Sequence, residues 1–85
     1  MQQQAIYANF QKMLTRTQWN VFRAIAKEEP LQNPLSKGFI QKYNLGAAST
    51  VSTALKALER LELVIKDEEN YLVHEVQLAR WMARI

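Results

Sequence analysis

The chain of 85 residues has no cysteine, so it can build neither a disulfide framework nor a thiolate metal site. It has one histidine, His74, which cannot hold zinc alone. No apolar run approaches the length of a membrane span, and the start Met1-Gln2-Gln3-Gln4 is too polar for a signal peptide. Glycine and proline occur twice each, so turns are few and their positions informative. Acid is missing from the whole front of the chain: nothing acidic precedes Glu28, whereas Lys12, Arg16, Arg23 and Lys27 do. Acid gathers instead at Asp67-Glu68-Glu69. These absences leave one small cytoplasmic domain of modest core, with a net charge of +3 and its basic surface toward the front. A nucleic-acid partner is compatible with that balance but not required by it.

What is present is helical periodicity. The strongest segment runs from Leu45 to Leu63, where Val51, Ala54, Leu55, Leu58 and Leu61 recur at spacings of three and four. Ser52, Thr53, Lys56, Glu59 and Arg60 fall opposite. Gly46 turns the chain into this helix, and Ser49 or Thr50 is expected to cap it. An N-terminal helix is predicted over residues 3–14, with Ile6, Phe10, Met13 and Leu14 on one face and Tyr7 beside them. It either folds over the core or connects to a partner. A second helix, capped by Thr17, runs to about Lys27 and turns Trp19, Phe22, Ile25 and Ala26 inward; Pro30 follows its end. Ser36 caps a short helix from Lys37 to Tyr43 that buries Phe39, Ile40 and Tyr43. Asn44 and Gly46 are the residues able to take positive φ in the turn after it.

Leu63 to Lys66 and Asn70 to His74 read as two strands of a hairpin around the turn Asp67-Glu68-Glu69. Glu75 to Ile85 returns to helical period, with Leu78, Trp81, Met82 and Ile85 on one side. Trp81 is expected to anchor the core. The predicted fold is mainly α with a small β-hairpin: a winged helix-turn-helix, a three-helix core plus wing, with additional N- and C-terminal helices. It divides into a linker helix (1–14), the winged helix-turn-helix (15–74) and a closing helix (75–85) of one domain.

Over residues 14–82 the chain resembles the C-terminal winged-helix domain of prokaryotic archaeal-type AAA+ P-loop ATPases. The family's Leu-Thr opening and the Gln that follows match Leu14-Thr15 and Gln18. Its Tyr-x-Leu-Gly turn and Ser-Ser-Val match Tyr43, Leu45-Gly46 and Ser49-Thr50-Val51, and its closing acid and tryptophan are similar to Glu75 and Trp81. The segment departs from the family at Val76 and Leu78, where aromatics are usual, and at Ser52 and Thr53, where longer basic side chains are common. The resemblance implies that the chain is a tail module following an ATPase core. The chain itself carries no Gly-x-x-x-x-Gly-Lys-Ser/Thr loop.

Two functions stay open at this level. In the first, Ser49, Thr50, Ser52, Thr53 and Lys56 face the major groove of double-stranded DNA while Lys37, Lys42 and Arg60 meet phosphates. Hydroxyls read bases weakly, and the acidic wing would be repelled by a polyanion. In the second, the domain docks on the ATPase core of the same protein or on a second copy of itself, through Ile6, Phe10 and Trp81. An enzyme is not expected: His74 has only Glu75 beside it, on the opposite side of a strand, and no serine has a histidine in register. No cofactor, metal or membrane partner is expected.

Overall fold

The computed structural model describes residues 9, 10 and 12–84. Residues 9, 10, 12 and 13 are helical. Four further helices and a hairpin follow: α1 (Arg16–Glu28), α2 (Lys37–Lys42), α3 (Ala48–Arg60), β1 (Val64–Asp67), β2 (Asn70–Val73) and α4 (Val76–Ala83). None of the described helices is long and apolar enough to cross a membrane.

Helix α1 begins one turn-residue pair earlier than expected. Its cap is Thr15, not Thr17: the Thr15 hydroxyl accepts from Gln18 N–H at 3.1 Å, and the Gln18 side-chain oxygen accepts from Thr15 N–H at 3.0 Å. This reciprocal pair needs a glutamine three residues beyond the cap, and only Thr15 has one. Ser36 caps α2 as expected, accepting from Phe39 N–H at 3.2 Å. Helix α3 has no side-chain cap at all. Its N-cap is Ala47, with extended backbone, so Ser49 and Thr50 stand inside the first turn and correct the capping expectation.

The turns use the residues the sequence marked. Asn44 and Gly46 take φ of 54° and 95° between α2 and α3. Helix α3 closes through a two-bond C-terminal motif: Leu63 N–H donates to Leu58 C=O and Glu62 N–H to Glu59 C=O, each at 3.0 Å, with Glu62 at φ 62°. That motif folds Leu63 back onto the core and leaves Leu61 exposed, so Leu61 is not part of the buried stripe.

The hairpin pairs Val64 with Val73 and Asp67 with Asn70, so the tip is Glu68-Glu69 with Glu68 at φ 58°. A third segment joins it: Leu31 forms an antiparallel bridge with Tyr71, with bonds of 2.7 and 3.2 Å. The Glu29 carboxylate accepts from Val73 N–H at 2.8 Å, tying the end of α1 to the same strand.

Helix α1 is the hub, packed against α3, α4 and β2. Phe22, Ile25 and Val21 are fully buried there with Val51 and Leu58 of α3, Val64 of β1 and Met82 of α4. Burying each such side chain is worth about 1.5–3 kcal/mol. Phe10 lies edge-on to Phe22 at 5.5 Å and 5.7 Å from Trp19, whose ring is 6.4 Å from Trp81. Phe10, Leu14 and Trp81 are therefore core residues, while Met13 is exposed. Ile6, Tyr7 and Ile85 lie outside the described residues.

Candidate nucleic-acid interface

Helix α3 fills its inner line with Val51, Ala54, Leu55 and Leu58. At about 3.6 residues per turn, the opposite line falls on Ser49, Thr53, Lys56 and Arg60, with Ser52 and Thr50 on its two flanks. Ser49, Thr50, Thr53, Lys56 and Arg60 are exposed and Ser52 is half-buried. The Thr53 hydroxyl donates to Ser49 C=O at 3.0 Å, which leaves its oxygen lone pairs outward. No acidic residue interrupts the line itself; Glu59 stands at its margin.

The flanks open into two grooves. On one side, Ser49, Thr50 and Thr53 face Thr15, Thr17 and Gln18 at the start of α1 across an open groove of about 430 Å³. No charged side chain lines it. On the other side, Ser52 and Lys56 share a groove of about 560 Å³ with Gln32 and Asn33, and with Lys66, Glu69 and Tyr71 of the wing. Here Lys56 and Lys66 are balanced by Glu59 and Glu69. The Lys66 ammonium lies over the Tyr71 ring at 5.5 Å. Gln32 and Asn33 escaped the sequence reading because they sit in an aperiodic loop between prolines. Carboxamides are side chains able to pair bidentately with adenine, a chemistry the hydroxyls of α3 lack.

The two lysines of the α2 region differ. Lys37 is exposed and has no ion-pair partner among the described residues. Lys42 bonds the Glu28 carboxylate at 2.5 Å, and the Tyr43 hydroxyl donates to the same oxygen at 2.8 Å. The bonds from Lys42 and then Tyr43 hold the Glu28 carboxyl below the usual carboxylate range. The Glu28 carboxylate raises Lys42, while burial and then Glu28 raise the Tyr43 phenol. Lys42 thus braces α2 against the end of α1 and is less available to a phosphate than Lys37.

His74 is exposed, and the Glu75 carboxylate caps α4 by accepting from Gln77 N–H at 3.1 Å. No group of three metal-ligating side chains occurs among the described residues.

A family model described as "Probable winged helix domain" matches residues 5–84. No curated protein and no solved structure matches the chain.

Proposed function

The chain belongs to this winged helix domain family, and from that premise we propose that it is a duplex DNA-binding module whose contact surface is the outward face of α3. The observation that carries the reading is the acid-free line Ser49, Thr53, Lys56 and Arg60, flanked by Thr50 and Ser52, on the helix that follows the turn. Lys37 adds a phosphate contact from α2. Lys42 contributes only through the field it shares with Glu28. Gln32 and Asn33 extend the surface on the wing side. The wing tip, with Glu68 and Glu69 exposed, stays off the backbone rather than gripping it.

In this reading the chain performs no chemistry of its own. Its resemblance to the tail of archaeal-type ATPases supports reading it as an accessory domain of a cytoplasmic ATPase that positions that motor on DNA. A P-loop segment upstream in the same open reading frame is the expected finding. The docking alternative relied on Ile6, Phe10 and Trp81; Phe10 and Trp81 are inside the core, and Ile6 lies outside the described residues.

The test is fluorescence anisotropy of a labelled mixed-sequence duplex at low and moderate salt. Binding is expected to weaken steeply with salt, by about 0.9 in logarithmic slope per phosphate neutralised. Lys56→Ala with Arg60→Ala should reduce that slope by about 2 and weaken low-salt binding at least several-fold. Unchanged binding by the double variant would remove α3 as the surface.

A further inference from the structure

The basic front of the chain resolves into a feature that the α3 reading does not use. Arg16, Asn20, Arg23 and Lys27 are spaced at four, three and four residues along α1, which places them on one line. Arg16, Asn20 and Lys27 are exposed and Arg23 is half-buried. The three cations span about 16 Å of helix at about 1.5 Å per residue. Two carboxylates lie beside this line in sequence, and both are turned away from it. Glu28 holds Lys42 and Tyr43, and Glu29 holds the Val73 N–H. No ion pair among the described residues involves Arg16, Arg23 or Lys27. The stripe also lacks any large exposed apolar side chain, the usual anchor of a protein interface.

Helices α1 and α3 pack on each other through their buried sides, and the α1 stripe shares no residue with the outward line of α3 or with the two grooves beside it. We propose that the Arg16–Asn20–Arg23–Lys27 stripe is a second, sequence-independent nucleic-acid backbone site, so that one domain holds two duplex segments. Arginine and asparagine both donate to phosphate oxygens, and an unneutralised row of cations suits a partner whose charge repeats along its length. The two-duplex arrangement rests on the α3 reading, whereas the α1 site itself is tested separately from it.

The experiment compares the parent with two variants: Arg16→Gln/Arg23→Gln/Lys27→Gln on α1, and Lys56→Gln/Arg60→Gln on α3. All five positions lie on helix surfaces, and circular dichroism checks that the helices persist. Anisotropy with one labelled 20-base-pair duplex gives the salt slope. Energy transfer between donor- and acceptor-labelled duplexes, with protein below saturation, reports bridging. The expected result is that the parent bridges, that the α1 variant binds one duplex with a slope smaller by two to three and does not bridge, and that the α3 variant also loses bridging. An α1 variant with the parent's slope and bridging overturns the proposal and leaves the α3 reading standing. Bridging lost only in the α1 variant supports the α1 site and overturns the α3 reading. Absence of duplex binding by the parent at low salt overturns both. A change in sedimentation of the α1 variant without DNA, at unaltered slope, identifies the acidic wing of a second copy as the occupant and overturns the proposal.

Discussion

Glu28 shows how one carboxylate links two elements and disarms a candidate contact. It receives Lys42 and Tyr43 on the same oxygen, so α1 and α2 are clamped at their facing ends. Its pKa is lowered from 4.5, so its contribution to stability is complete above about pH 4.5 and drains as the pH falls through its folded value. Lys42 and Tyr43 are both raised, so theirs is complete below about pH 10.0 and is lost as the pH rises beyond it. Glu28→Gln should therefore flatten the acid limb of a melting-temperature profile below about pH 4.5, while changing the value at pH 7 only modestly. A variant whose acid limb parallels the parent's would show that other carboxylates carry the transition. This triad was not legible beforehand, because residues 28, 42 and 43 meet only through the packing of α1 and α2.

At the level of elements, the caps divide the helices into secured and unsecured starts. Thr15→Ala removes a reciprocal pair and should cost about 1 kcal/mol in urea unfolding. Ser49→Ala and Thr50→Ala should cost little, since neither caps α3. Ala47→Ser should stabilise by roughly 0.5–1 kcal/mol, because it supplies the side-chain acceptor α3 lacks. Stabilisation by Ser49 rather than by Ala47→Ser would reverse this assignment. Element order was legible from periodicity, and the inner faces of α1, α2 and α3 were read nearly residue by residue from Phe22, Phe39 and Val51. The misses fall at helix ends. Thr15 against Thr17, and Leu61 against Leu63, are decided by local hydrogen bonds spanning three to five residues, where a period of 3.6 has little leverage. The hydroxyl and lysine line of α3 was visible as a polar face. Its division between two grooves was not, because the loop carrying Gln32 and Asn33 has no period to read.

Across the whole molecule, helix α1 joins every layer, so the core behaves as a single unit. Phe22 is fully buried and touches the rings of Phe10 and Trp19. Phe22→Ala should cost about 3–5 kcal/mol, a large share of what a domain this small possesses. Circular dichroism and tryptophan fluorescence should then fall in one coincident transition at much lower urea. Separate transitions would mean that the Trp81 helix folds apart from the rest. The Leu31–Tyr71 bridge has a bearing on how such molecules tolerate crowding. It occupies the outer side of β2, so β1 alone retains an unpaired edge among the described residues. Lys66 and Asp67 stand on that edge and Glu68 turns it away at the tip. Strand-by-strand growth into fibrils would have to start on four residues that end in opposite charges, a poor template for amyloid.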